Sequence, residues 1–138
     1  MPQPPQPPRP ARLAWLAVAA WAGTIFFLSS LTGREVERIL PFSFWDKAMH
    51  FSAYAVGGVL LAAALRWSFA WTWKKIIVVG ALSLSLYGVS DEIHQMFTPF
   101  RSADMSDWFA ATLGGFVGLK LFQFFHARFQ PACQSAPP

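Results

Sequence analysis

The chain has 138 residues, of which 54% are apolar and only 13% are charged, whereas soluble domains carry about 25% charged residues. Its 11 Lys and Arg residues against 7 Asp and Glu are too few and too scattered for a phosphate-binding stripe, so no nucleic-acid partner is expected. A single cysteine, Cys133, excludes an intrachain disulfide and a cysteine-based metal cluster.

Both ends of the chain are rich in proline and polar residues. Residues 1–12 and 127–138 are therefore predicted to form disordered tails. Between them lie four long apolar runs, at residues 13–31, 48–65, 76–90 and 108–125. As a helix, the first run is long enough to cross a hydrocarbon core of about 30 Å. The alternative for this run is a cleaved signal peptide, but its apolar stretch is longer than the about 7–15 residues typical of one.

The predicted fold class is therefore all-α, an integral membrane bundle over residues 13–125 with the lipid bilayer as its surroundings. Its four transmembrane helices are predicted at about 13–31, 46–65, 74–97 and 106–126. A threonine and a glutamate in capping-box spacing, Thr32 and Glu35, predict a further short amphipathic helix in the first loop.

Charged residues are divided unequally between the two ends of this bundle. One end holds Arg9, Arg12, Arg66, Lys74, Lys75, Lys120 and Arg128, and the other holds four basic residues together with all seven acids. Because basic residues favour the cytoplasmic side, both termini are predicted in the cytoplasm and the acidic loops outside.

Small residues recur at helix-packing spacing on two of the predicted helices. Gly57 and Gly58 lie on the second, and Gly114 and Gly118 lie four residues apart on the fourth. Such spacing allows two helix backbones to approach closely. We expect these glycines to pack the helices of the bundle, and a homodimer through the same face is the alternative.

Polar residues cluster where the second, third and fourth helices meet the outer surface. Asp46, Asp104 and Asp107 stand at predicted helix starts, where a carboxylate suits the helix dipole, so capping accounts for each of them taken singly. Capping does not account for Asp91 and Glu92, which are adjacent and lie near the negative end of the third helix. These two need water, a cation or a basic partner.

Helical spacing suggests how these polar residues converge. Asp46, His50 and Tyr54 share one face of the second helix. Asp91 shares a face of the third helix with Tyr87, His94 and Gln95. Where these faces meet near Arg101, the group could act as an ion-pair cluster, perform acid–base chemistry, bind an anion or hold a divalent cation. No standard metal-ligand spacing is present, so neither a metal nor another cofactor is expected.

The order and spacing of these polar residues resemble those of the VanZ-like family of small bacterial membrane proteins. The resemblance is carried by Asp46-Lys47-x-x-His50-x-x-x-Tyr54, Tyr87-x-x-x-Asp91-Glu92-x-His94-Gln95, and Arg101-x-x-x-x-x-Asp107 followed by Gly114. It implies that Asp46, His50, Tyr54, Asp91, Glu92, Gln95, Arg101 and Asp107 form a functional cluster, and helical spacing adds His94 as its ninth member. Ala111 departs from the family pattern, which often has asparagine there.

The resemblance also implies a multi-pass protein of the bacterial inner membrane that is linked to the cell envelope. The family takes its name from a member associated with resistance to the glycopeptide teicoplanin. We expect the outward-facing cluster to engage an anionic envelope ligand, such as a lipid-linked precursor or the glycopeptide. One alternative is a hydrolase or transferase acting on a lipid-linked substrate, with His50 or His94 as base and Arg101 on a phosphate, although no recognised catalytic motif is present. Another is a structural subunit that assembles through the glycine-rich fourth helix.

Overall fold

The computed structural model describes residues 9–39 and 43–129, with side chains at all of these positions except 39 and 43–45. Within these ranges the chain is helical and contains no strand, as the apolar runs predicted. The elements in chain order are α1 (Arg9–Ser29), α2 (Gly33–Ile39), α3 (Ser43–Ser68), α4 (Trp73–Gln95) and α5 (Met105–Phe129). The outer parts of both predicted tails, residues 1–8 and 130–138, lie outside the described residues.

Four of the helices, α1, α3, α4 and α5, are long and apolar enough to cross a membrane. Many of their large apolar side chains are exposed at the bundle surface, including Leu16, Leu86 and Phe124. In water such a surface would be unfavourable, whereas in a bilayer it contacts the lipid chains. The fold is therefore an integral membrane bundle of four transmembrane helices.

The first helix begins at Arg9, within the stretch predicted as a tail. Pro10 is tolerated because the first turn of a helix needs no backbone N–H bond at that position. Ala11, in this first turn, is fully buried, and Ala14, in the next turn, packs against Ala63 and Ala64 near the end of α3. Burial of Ala11 stabilises a turn that composition alone did not suggest.

The central helix is α3, which packs most extensively against α5 and also contacts α1 and α4. Glycines make the α3–α5 contact close, because a Cβ on Gly114 would overlap the Phe51 carbonyl and one on Gly118 would overlap the Ala55 carbonyl. A Cβ on Gly58 would likewise overlap the Gly115 carbonyl. This glycine face of α5 is therefore in contact with α3 of the same chain.

The bundle has two chemically different ends. At the basic end, where α1 and α4 begin, the Arg66 guanidinium lies over the Trp73 ring and the Lys75 ammonium over the Trp71 ring. At the other end, where α1 and α4 finish and α3 and α5 begin, lie all seven acidic residues of the chain. We refer to this second end as the acidic end.

The short helix α2 is held at the acidic end by the loop between α4 and α5. The Gly33 N–H donates to the Pro99 carbonyl at 3.1 Å, and a Cβ on Gly33 would overlap the Phe100 carbonyl. Phe100 itself has a φ of 61°, and the Arg34 guanidinium lies 4.2 Å from the centre of its ring. The predicted amphipathic helix is therefore present and is fastened to a loop distant in sequence.

Hydrogen bonds between Thr32 and Glu35 start this helix. The Thr32 backbone N–H and hydroxyl both donate to the Glu35 carboxylate, at 2.8 and 2.7 Å. These two bonds lower the pKa of Glu35 below its ordinary value, the hydroxyl contributing most. The contact is one half of a capping box.

Candidate functional site

A cavity of about 140 Å³ lies at the acidic end, between α1, α2, α3, α4 and the α4–α5 loop. We call it the rim pocket. Its apolar wall is formed by Ile25, Leu28, Leu31, Val36, Met49 and Ala53. Its polar wall is formed by Ser29, Asp46, His50, Tyr54, Asp91, Gln95 and Arg101. Six of the nine residues predicted to form the functional cluster thus line one pocket.

Asp91 lies on the polar wall and is almost fully buried, with 6% of its surface exposed. Its Oδ1 accepts a hydrogen bond from the Ser29 hydroxyl, which α1 presents at its last residue. Its Oδ2 lies 3.8 Å from His50 Nε2. A buried carboxylate is thus held in place by one helix and faces an imidazole on another.

Glu92 does not line the rim pocket, but its carboxylate also approaches His50. Its Oε2 accepts a hydrogen bond from the Asp104 backbone N–H at 2.8 Å, at the start of α5. Its Oε1 lies 3.7 Å from His50 Nε2, is buried, and accepts no hydrogen bond from any described residue. The two adjacent carboxylates therefore converge on a single nitrogen atom.

The orientation of His50 follows from its other ring nitrogen. His50 Nδ1 lies 3.0 Å from the Asp46 carbonyl oxygen, one turn earlier in α3. Because a carbonyl oxygen only accepts, Nδ1 must carry the proton of this hydrogen bond. In the neutral ring, Nε2 then offers its lone pair toward Asp91 and Glu92.

Three side chains on the polar wall offer donors that are not fully used. Arg101 donates to the Gln95 amide oxygen from Nε at 3.3 Å and from Nη2 at 2.7 Å, rather than to a carboxylate. The Gln95 amide nitrogen and the Tyr54 hydroxyl are both buried and make no hydrogen bond with any described residue. Leaving such a group unpaired costs about 1–3 kcal/mol, so a bound acceptor would stabilise this wall.

Asp104 and Asp107 form a separate group with Lys47 beside the pocket. The Lys47 ammonium lies 3.1 Å from Asp104 and 2.9 Å from Asp107. Asp104 also accepts from the Ser106 hydroxyl and backbone N–H, which makes it the N-cap of α5, as its position predicted. The Ser106 hydroxyl first, then its N–H and Lys47, lower the pKa of Asp104 to about 2.

His94 packs against α1 instead of joining the polar wall. Its ring stacks on Phe26 of α1 at a centroid distance of 4.6 Å, and its Nε2 lies 3.0 Å from the Ser30 hydroxyl. It does not line the rim pocket. Of the two histidines considered as a base, only His50 therefore faces the cavity.

Sequence reasoning missed Ser29, which holds Asp91, and Thr98, whose hydroxyl donates to the Ser29 carbonyl at 3.2 Å. Both lie at helix or loop ends, where polar residues are common, so composition carried no signal for either. Ala111, where the family often has asparagine, is buried in the bundle core beside Gly88. An apolar side chain suits that position.

Comparison with known proteins identifies a family. A family model described as VanZ/LLP1 matches residues 14–126, which extends from within α1 to within α5 and includes every residue of the rim pocket. No curated protein and no solved structure matches the chain. The four membrane-spanning helices and the match over most of the chain lead to one assignment: the chain belongs to the VanZ/LLP1 family of membrane proteins.

Proposed function

We propose that this protein works in the bacterial inner membrane and binds the anionic head group of an amphiphilic envelope component in the rim pocket. The distribution of basic residues supports an orientation with both termini in the cytoplasm and the acidic end outside. In that orientation the rim pocket lies at the outer surface of the membrane. A lipid-linked cell-wall precursor has the required chemistry, and its capture would alter the response to teicoplanin-type glycopeptides.

The observation that carries this proposal is the set of unused donors on the polar wall. The Tyr54 hydroxyl and the Gln95 amide nitrogen are buried without a partner among the described residues, and both side chains line the pocket. Arg101, held by Gln95, retains N–H groups that are free to donate. Hydroxyl, amide and guanidinium donors around one cavity suit the oxygens of a phosphate or carboxylate.

The opposite wall favours a ligand that also has an apolar part. Leu28, Leu31 and Met49 face the same cavity as Arg101. Ligand pockets commonly combine a mostly apolar lining with a few placed polar groups, because the apolar area supplies affinity and the polar groups set orientation. A free inorganic anion would leave the apolar wall without a partner, whereas a lipid-linked head group would contact both walls.

The test is a change in glycopeptide susceptibility. Expression of the chain in a teicoplanin-sensitive bacterium should raise the minimal inhibitory concentration of teicoplanin. Arg101→Gln and Tyr54→Phe should return it toward the level of cells without the protein, because each removes a donor of the polar wall that the anionic head group would use. Membrane fractionation should show that both variants still insert.

Arg38→Gln is the matched control, since Arg38 is an exposed basic residue of α2 that does not line the rim pocket. It should behave as the unaltered protein. Titration of the purified protein with a polyprenyl phosphate, inorganic phosphate and teicoplanin then identifies the ligand. If the Arg101 and Tyr54 variants raise the minimal inhibitory concentration as much as the unaltered protein does at equal membrane levels, or if none of the three probes binds, the proposal is contradicted.

A further inference from the structure

We propose that His50, Asp91 and Glu92 form a binding site for one divalent metal cation at the base of the rim pocket. The site uses residues of the proposed function, but it stands on its own geometry and can be tested without any envelope ligand. Each of the three side chains offers one donor atom, and these atoms lie within 4.8 Å of one another. Their side chains are 10%, 4% and 9% exposed, so the donors are largely shielded from water.

The first argument is the tautomer of His50. Its Nδ1–H donates to the Asp46 carbonyl oxygen at 3.0 Å, so in the neutral ring Nε2 carries the lone pair and faces the carboxylates. Histidines that bind metals commonly donate their other ring N–H to a carbonyl or carboxylate, which fixes the ring and raises its basicity. The hydrogen bond to Asp46 is of this kind.

The second argument is the unsatisfied oxygen of Glu92. Its Oε2 is engaged by the Asp104 N–H, whereas its Oε1 is buried, faces His50 and accepts no hydrogen bond within the described part of the chain. Asp91 is arranged similarly, with Oδ1 bonded to Ser29 and Oδ2 directed at His50. In each carboxylate one oxygen is held by the protein and the other is available to a cation.

The third argument is the spacing of the donors. His50 Nε2 lies 3.8 Å from Asp91 Oδ2 and 3.7 Å from Glu92 Oε1, which is too long for a direct N–H···O hydrogen bond. Ligand bonds to Zn²⁺ are about 2.0–2.2 Å, so two ligands of one ion lie at most about 4 Å apart. The two separations from His50 fit inside that limit.

A second group of potential ligands, Asp46, His50 and Asp107, is less suited to a cation. The Lys47 ammonium already lies 2.9 Å from Asp107, so that carboxylate has a cationic partner. Asp46 is 40% exposed at its side chain, which leaves it in contact with solvent. The inner group has no such ammonium within ion-pair distance among residues 9–39 and 43–129.

The ligand types indicate which cation the site prefers. One imidazole with two carboxylates suits Zn²⁺ or Mn²⁺ better than Ca²⁺, which prefers oxygen ligands alone. Three protein ligands leave coordination positions open, as in sites that also bind water or substrate. Because His50 and Asp91 line the rim pocket, the open coordination positions face the pocket. A cation there would attract an anionic head group that the two carboxylates would otherwise repel.

The test uses the full-length protein, purified in a non-ionic detergent without phospholipids and treated with a chelator. The protein is titrated with MnCl₂ while electron paramagnetic resonance records free Mn²⁺. We expect one Mn²⁺ bound per chain, displaced by Zn²⁺. Glu92→Gln and Asp91→Asn should each weaken binding by at least about tenfold, the smallest loss seen when even a supporting hydrogen bond is removed. Glu37→Gln, an exposed carboxylate outside the site, should bind as the unaltered protein does.

If Asp91→Asn fails to fold because it weakens the contact with Ser29, Glu92→Gln and the unaltered protein still decide the question. Absence of stoichiometric Mn²⁺ and Zn²⁺ binding would overturn the proposal, and so would equal affinity in the Glu92→Gln variant and the Glu37→Gln control. Stoichiometric binding that Glu92→Gln weakens supports the metal site even where teicoplanin susceptibility is unchanged. The experiments therefore test the metal site and the proposed envelope function independently of each other.

Discussion

Asp104 and Asp91 are both carboxylates at helix ends, but the sequence accounted only for Asp104, as a helix cap. A cap bonds to residues within one turn, so Asp104 and Ser106 could be matched from their spacing. The partner of Asp91 is Ser29, which lies 62 residues earlier and depends on how α1 is rotated against α4. The sequence therefore predicted that Asp91 needed a partner without predicting which one; of the basic residues considered, His50 faces it, whereas Arg101 bonds to Gln95.

The low pKa of Asp104 makes its cap sensitive to acid. The folded-state pKa is about 2, below the ordinary value of 3.8, so the charged form is favoured by folding. The cap's contribution to stability is therefore complete above pH 3.8 and is lost as the pH falls toward 2. We expect Asp104→Ala to lower the melting temperature in detergent near neutral pH, and the difference from the unaltered protein to shrink through this acid range.

The control is Asp104→Asn, since asparagine can still accept from the Ser106 N–H but does not titrate. Its melting temperature should lie between those of the other two proteins near neutral pH. A difference between the unaltered protein and Asp104→Ala that is the same at pH 2 and pH 7 would show that ionisation of the cap contributes nothing.

At the scale of the helices, the apolar runs predicted all four membrane spans, and the capping pattern predicted α2. Helix bounds differed by a few residues, as at Arg9, because burial of a residue such as Ala11 extends a helix beyond its apolar run. The glycine spacing predicted that helices would approach closely. It could not identify which helix approaches, because helix rotation and neighbour choice depend on the whole bundle.

The close approach of α3 and α5 predicts a sharp difference between glycines. Gly114→Ala and Gly118→Ala should each lower the free energy of unfolding by on the order of 1–3 kcal/mol, because the added methyl meets backbone carbonyls that cannot swing aside. Gly88→Ala is the matched control, since its Cβ would lie no closer than 3.4 Å to any neighbour.

Gly88→Ala should be neutral or stabilising by up to about 1 kcal/mol, given the higher helix propensity of alanine. Reversible unfolding in mixed detergent micelles measures all three variants against the unaltered protein. Equal stability of the Gly118 and Gly88 variants would mean that the α3–α5 backbones lie farther apart than described.

At the scale of the whole molecule, the separation of charge between the two ends is the feature that the sequence predicted most directly. Counting residues between apolar runs assigns each loop to one end without any knowledge of packing. The rim pocket could not be predicted by such counting, because it forms between α1, α2, α3 and α4 and depends on how these helices are placed relative to one another. The sequence nevertheless placed the six cluster residues that line the rim pocket at the acidic end, where the pocket forms.

This charge separation predicts the membrane topology. Reporter fusions after residues 40, 70, 100 and 130 should report outside, inside, outside and inside, because the basic end should remain in the cytoplasm. Alkaline phosphatase and green fluorescent protein fusions give opposite readouts and check each other at every position. A cytoplasmic signal after residue 100 would place the rim pocket on the inner face and remove the basis for contact with envelope ligands.

The attachment of α2 to the α4–α5 loop also constrains how such a chain can vary. The Gly33 N–H bonds to Pro99, and the Phe100 carbonyl occupies the volume that any larger residue at position 33 would need. An insertion or deletion on either side of this junction would move one partner away from the other. A change in the length of the segment between α1 and α2 therefore requires a compensating change in the segment between α4 and α5.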